Sequence, residues 1–209
     1  MRKRVAHRRF GAGGQTVTEE ATGGAGPQLR KTVVLVGMMG AGKTAVGHAL
    51  ARALDVPFLD SDEEIVKAAQ MSVAEIFARD GEPFFRARES EVIARLLSGP
   101  PAVVSTGGGA FMAEANREMI ARLGVSVWLK ADLELLWNRV RHKNTRPLLR
   151  TPDPKRTLSE LLALREPVYA QAQITVEAEP ALSIEAMARK VVAGLEQWPG
   201  AFGPERQEG

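Results

Sequence analysis

Apolar positions along the chain fall into two alternating rhythms. Short unbroken runs of β-branched and aliphatic residues recur at Thr32–Val36, Ala102–Thr106, Val125–Leu129 and Ile174–Val176, with a less regular one at Asp55–Asp60. Such runs read as strands covered on both faces. Between them the apolar residues spread out at helical spacing, over 44–54, 63–69, 72–77, 82–97, about 113–123, 133–140, 158–169 and 183–195. Local signals sharpen several boundaries. Ser72 and Glu75 have the spacing of a capping box, and Asp132 is placed to cap the helix that follows it. Asp80-Gly81 interrupts one apolar stripe, and Ser98-Gly-Pro-Pro101 ends the next.

Five strands alternating with helices predict an α/β sandwich around a mainly parallel sheet. Ligands of such sheets gather beyond the carboxyl ends of the strands. The segments that follow the first three strands, 37–44, 60–62 and 107–109, should therefore share one rim.

The pattern fades at both ends. Residues 1–30 end in Ala-Thr-Gly-Gly-Ala-Gly-Pro and carry few large apolar groups, so we expect a disordered basic extension there. Residues 199–209 are expected to be a disordered tail, which leaves one domain over 31–198. Residues 141–154 combine three prolines with clustered cationic side chains and read as a loop that moves rather than packs.

Charge and composition narrow the function. Of the 28 basic and 25 acidic residues, six basic and two acidic ones lie in the first thirty positions. The body is thus nearly neutral, and no nucleic-acid partner is expected. The chain has no cysteine and three scattered histidines, His7, His48 and His142, which argues against disulfides and a zinc cluster. No apolar run reaches membrane-spanning length, and the N-terminus lacks the apolar stretch of a secretory signal. We expect a cytoplasmic monomer with no membrane partner.

The chemistry starts after the first strand. Gly37, Gly40, Gly42, Lys43 and Thr44 fit the spacing G-x-x-x-x-G-K-S/T. Glycines let the backbone turn its N–H groups onto phosphate oxygens, and the helix after them adds its positive end. This segment, Gly40-Ala41-Gly42-Lys43-Thr44 above all, predicts binding of a nucleoside triphosphate. Lys43 can reach the outer phosphates and the Thr44 hydroxyl can ligate Mg²⁺. Asp60 and Asp62, at the end of the second strand, would be divided between the phosphate–metal side and a second substrate. Gly107-Gly108-Gly109 would offer bare backbone to an anionic or hydroxylated ligand. Arg86 and Arg165 are candidates for a bidentate clamp on a carboxylate.

Together these residues resemble a known family. Gly37-Met-Met-Gly-Ala-Gly-Lys-Thr44, Phe58-Leu-Asp-Ser-Asp62, Ile76-Phe-Ala-Arg-Asp-Gly-Glu82, Phe85-Arg86, Ser105-Thr-Gly-Gly-Gly109, Arg146-Pro-Leu-Leu149 and Arg165-Glu-Pro-Val-Tyr169 resemble shikimate kinase in order and spacing over about 31–196. The resemblance implies a three-layer P-loop kinase fold, with a central five-stranded parallel sheet flanked by helices and a mobile lid over about 142–155. It implies phosphorylation of the shikimate 3-hydroxyl by ATP, with Mg²⁺. It also implies roles. Asp62, Arg86, Gly107, Gly108, Gly109 and Arg165 would hold shikimate, with Glu89 supporting Arg86 and with Phe77 and Phe85 walling the pocket. Thr44 and Asp60 would hold the metal, Asp60 through water. Lys43 and Arg146 would bind the phosphates, and Arg139 would lie along the adenine. Lys43, Asp62 and Arg146 would be the catalytic set.

Overall fold

A computed structural model describes residues 28–142 and 147–203. Its elements run β1 (Thr32–Val36), α1 (Lys43–Ala53), β2 (Phe58–Asp60), α2 (Ser61–Ala69), α3 (Val73–Leu97), β3 (Val103–Ser105), α4 (Glu114–Leu123), β4 (Gly124–Lys130), α5 (Leu133–Val140), α6 (Pro154–Tyr169), β5 (Ile174–Glu177) and α7 (Ile184–Glu196). Single 3₁₀ turns cover Ala110–Met112 and Pro147–Leu149. All strand pairs are parallel, in the order β2-β3-β1-β4-β5.

The unbroken apolar runs mark the inner strands. β1 sits between β3 and β4, and all five of its residues are buried. At the edge, β5 alternates buried Ile174 and Val176 with exposed Thr175 and Glu177. A strand with one neighbour and one wet side needs no more than that. α1 packs on α7, α3 on α4 and α5 on α6, which covers the sheet and confirms the layered α/β architecture. Fully burying one Val or Leu contributes about 1.5–3 kcal/mol. Val33, Val34, Leu35, Val127 and Leu129 all have no exposed surface, so the middle of the sheet is its most stabilised part.

The local signals hold. Ser72 and Glu75 form the reciprocal capping box, and Asp132 accepts from the Leu135 N–H. At Asp80-Gly81 two helical halves meet within α3 across a kink, where Gly81 leaves the helical region, at φ 82° and ψ 171°. That positive φ favours glycine. The kink also makes Pro83 tolerable, since it falls in the first turn of the second half. The bend brings the Phe77 and Phe85 rings together at 4.7 Å.

Three expectations need correction. α6 begins at Pro154 rather than near 158, because Asp153 caps it and proline suits the first helical turn. The loop expected over 141–154, with the lid to 155, is accordingly shorter, and Leu149 within it is buried. Residues 143–146, including Arg146, lie outside the described residues.

The domain also runs past both expected boundaries. Leu29 and Phe202 form an antiparallel bridge, Arg30 N donates to Ala201 O at 2.8 Å, and Gly203 N donates to Gln28 O at 2.9 Å. Ala201 is completely buried. Small and apolar side chains close together, Trp198, Ala201 and Phe202, are what let this stretch pack. Residues 1–27 of the expected extension (1–30) and 204–209 of the expected tail (199–209) lie outside the described residues. Among the described residues, no helix is long and apolar enough to cross a membrane.

Candidate active site

A cleft of about 470 Å³ opens beyond the carboxyl ends of β1, β2 and β3, on the rim that strand order predicts. Residues 39–46 form one wall, with Arg139 and the segment Leu182–Ile184 beside them. Asp60, Asp62 and Ser105–Gly108 form the other.

The phosphate wall is made by backbone. Gly40 and Gly42 have φ of 86° and 96°. Gly42 is the N-cap of α1 and supplies no capping side chain, and the first turn holds no acid. The positive end of the helix therefore faces the cleft without a built-in anion. Lys43 Nζ donates to Gly37 O at 2.8 Å and Met38 O at 3.1 Å. Arg139 braces the loop, with one guanidinium nitrogen 3.3 Å from both Gly40 O and Ala41 O.

β2 stops at Asp60 instead of continuing through Asp62. Asp60 Oδ1 accepts from the N–H groups of Asp62 and Glu63, at 3.0 and 3.4 Å, and so caps α2. An extended carboxylate at a strand end satisfies donors that the helix would otherwise leave open. The two acids are thus separated by a strand-to-helix turn, and both reach the cleft. Thr44 and Asp60 lie on facing walls. A hydroxyl and a carboxylate are hard oxygen donors of the kind Mg²⁺ uses while it keeps waters and phosphate oxygens as its other ligands. Among the described residues no group of three or more His, Asp or Glu is arranged as a complete metal cage.

The acceptor wall is made by side chains laid against glycine. A Cβ on Gly109 would stand 2.6 Å from both terminal nitrogens of Arg86. One on Gly107 would stand 2.9 Å from Glu89 Oε1 and 3.0 Å from Asp62 Oδ1. One on Gly108 would meet Arg165 at 3.4 Å and the Tyr169 hydroxyl at 3.6 Å. The triple glycine is therefore a tight floor: charged groups from elsewhere leave no room for a side chain at Gly107 or Gly109, while one at Gly108 would rest in ordinary contact with Arg165 and Tyr169. Its position is fixed from below. Buried Ser61 accepts from Gly107 N at 3.3 Å, Thr106 Oγ1 donates to Leu35 O at 3.0 Å, and buried Asn116 donates to Ala110 O at 2.8 Å.

Arg86 and Glu89 form the charged centre of that wall. Arg86 donates to Glu89 Oε2 at 2.8 Å, and Glu89 is 1% exposed. Burial pushes the Glu89 carboxyl up, against the opposing pull of Arg86. Burial also works against the charge on Arg86, but the carboxylates of Glu89 and Glu82 outweigh it and hold the guanidinium above its usual range. Arg165, 9% exposed, donates to Gly108 O at 3.3 Å. The Tyr169 hydroxyl donates to the same carbonyl, and its ring stacks on Trp128. Burial pushes the Tyr169 phenol up to about 12, while neighbouring Arg165 pulls the other way. It remains a neutral donor at any ordinary pH.

The cleft is thus lined by Lys43, Thr44, Asp60, Asp62, Gly107, Gly108 and Arg139, and Arg86, Gly109 and Arg165 adjoin it through the glycine floor. Arg146 falls outside the described residues. Sequence reasoning missed Leu182–Ile184 on the cleft wall and the anchoring work of Ser61, Asn116 and Tyr169. Tyr169 could have been found from its spacing, four residues after Arg165 on one helix face.

Comparisons with known proteins agree on one family. The shikimate kinase family model matches residues 39–196. The shikimate kinase of Cereibacter sphaeroides is 67% identical over 172 residues, covering 82% of this chain and 86% of its own. That of Ruegeria pomeroyi is 66% identical over 172 residues, covering 82% and 88%. A solved shikimate kinase from Acinetobacter baumannii, in complex with shikimate, superposes with a TM-score of 0.74 at 38% identity, over 78% of this chain and 91% of that one.

Proposed function

The chain belongs to the shikimate kinase family, and from that premise we propose how its cleft divides the work between two substrates. The enzyme phosphorylates shikimate at its 3-hydroxyl with ATP, giving shikimate 3-phosphate and ADP, in aromatic amino acid biosynthesis.

The triphosphate lies on the Gly40–Thr44 loop and the N-terminus of α1, with Lys43 swung from its loop carbonyls onto the outer phosphates. Arg139 lies along the base. Arg146 joins the phosphates on the strength of the sequence motif alone. Thr44 and Asp60 would hold Mg²⁺, Asp60 through water, where it would supply positive charge to the phosphates. Arg86 and Arg165 take the shikimate carboxylate, and the floor of Gly107, Gly108 and Gly109 sets the depth of the ring. Asp62 holds the ring hydroxyls, orients the one that attacks and accepts its proton. Transfer is in line and direct. Positioning and charge neutralisation supply most of the rate in such reactions. The enzyme works as a cytoplasmic monomer without nucleic-acid or membrane partners.

One observation carries this reading. Two guanidinium groups and a carboxylate converge on a glycine floor beside the phosphate loop. That set suits an acceptor bearing one carboxylate and several hydroxyls. A coupled ADP-release assay with ATP and Mg²⁺ tests it, with shikimate, gluconate and a nucleoside monophosphate as alternative acceptors. Turnover with shikimate alone is expected. Turnover with another acceptor and none with shikimate would overturn it.

A further inference from the structure

A guanidinium presents two bidentate edges to a carboxylate, the side edge (Nε with one terminal nitrogen) and the end edge (both terminal nitrogens). In Arg86 neither is open. Nε and NH2 both donate to Glu82 Oε1, at 3.2 and 3.0 Å. NH1 donates to Glu89 Oε2 at 2.8 Å, and the end of the group lies against Gly109. A substrate carboxylate that takes Arg86 bidentately must displace something.

The two acids are not equally replaceable. Glu89 is 1% exposed, and stripping it of its partner would leave a buried charge uncompensated. The Glu82 side chain is 62% exposed and can return to water. It also follows directly on Gly81, where the backbone of α3 leaves the helical region, so the side chain leaves from the kink rather than from a packed helix face. We propose that Glu82 is an internal stand-in for the substrate carboxylate. It occupies the side edge of Arg86 in the free enzyme, and shikimate displaces it on binding. The proposal rests on the reading of Arg86 as the carboxylate clamp.

The arrangement sharpens selectivity. A neutral polyol offers nothing to exchange for Glu82, so the pocket stays internally paired. A carboxylated acceptor replaces one ion pair with another. The cost to affinity is the fraction of enzyme in which Glu82 holds the edge, and for an exposed ion pair that is about two- to sixfold.

The test compares Glu82→Gln, Glu82→Ala and Arg86→Ala with the wild-type enzyme. It measures the KM for shikimate and for ATP, and shikimate binding by calorimetry without nucleotide. Both Glu82 variants should bind shikimate about two- to sixfold more tightly, with the ATP KM unchanged. A side chain that merely supported Arg86 would do the opposite, since its loss would weaken binding. Unchanged or weaker shikimate binding in the Glu82 variants, with Arg86→Ala still raising the shikimate KM, would overturn the proposal and leave the clamp standing. If Arg86→Ala itself left the shikimate KM unchanged, the clamp reading and the proposal would fall together.

Discussion

The two walls of the cleft are built on different principles. The phosphate wall is built mainly from one continuous segment, 39–46, with Arg139 beside it, and its binding groups are chiefly backbone N–H groups, a helix end and the Lys43 and Thr44 side chains. The acceptor wall draws on α2, the second half of α3, the 107–109 floor and α6, and its binding groups are side chains held by other side chains. The first depends on local conformation and the second on long-range packing. A family can therefore keep the phosphate wall while changing acceptor, whereas the acceptor wall changes only if several distant positions change together.

If the walls are separate, substitutions should divide cleanly by substrate. The largest effect belongs to Lys43→Ala. It should lower kcat by on the order of 10²–10³ while calorimetric shikimate affinity stays at the wild-type value. A matching loss of shikimate affinity would mean that the walls are coupled through Lys43. Gly109→Ala comes next, since its methyl would press on the Arg86 guanidinium. Overpacking of about 1–3 kcal/mol should raise the shikimate KM roughly five- to a hundredfold, with little change for ATP.

Tyr169→Phe should act more gently. It keeps the ring on Trp128 and removes one hydrogen bond to Gly108 O, at about 1 kcal/mol, and should raise the shikimate KM about fivefold. The wild-type phenol titrates higher when folded than when unfolded, where it sits near 10. Its contribution is complete below that value and is lost as pH rises from 10 toward 12. Thermal melts of the phenylalanine variant should lack this alkaline part. Glu89 gives the smallest and subtlest signal. Its folded pKa lies above the ordinary 4.5, so folding favours its protonated form. Stability from this group is complete below 4.5 and falls as pH rises through the folded value. Glu89→Gln should flatten that limb in acid-range denaturation curves, and an unaltered slope would show that pairing with Arg86 cancels the effect of burial on Glu89.

The same contrast explains what the sequence alone could tell. Gly37 to Thr44 is legible because every functional atom lies within eight residues and the spacing itself is the site. The strand runs are legible because inner strands must be apolar on both faces. Gly107-Gly108-Gly109 looked like exposed backbone for a ligand. Its steric reason appears only once Arg86, Glu89, Asp62 and Arg165 are laid over it. No local pattern places Leu182–Ile184 beside residues 39–46, because the sheet order brings them there. Asp60 could be read either as a strand residue or as a cap. The hydrogen bonds from Asp62 and Glu63 decide for the cap.

The bridge between Leu29 and Phe202 has a consequence for how the enzyme can be handled. It fastens the chain where β1 begins, one strand length of about 17 Å from the rim where the substrates meet. Anything joined at residue 28 or residue 203 therefore starts from the back of the sheet, behind the catalytic face. Two such attachments would also start as neighbours. A surface-bound or doubly tagged enzyme should thus keep its cleft turned outward. A backbone closed between 28 and 203 and reopened at a distant loop should leave both walls of the cleft as they are.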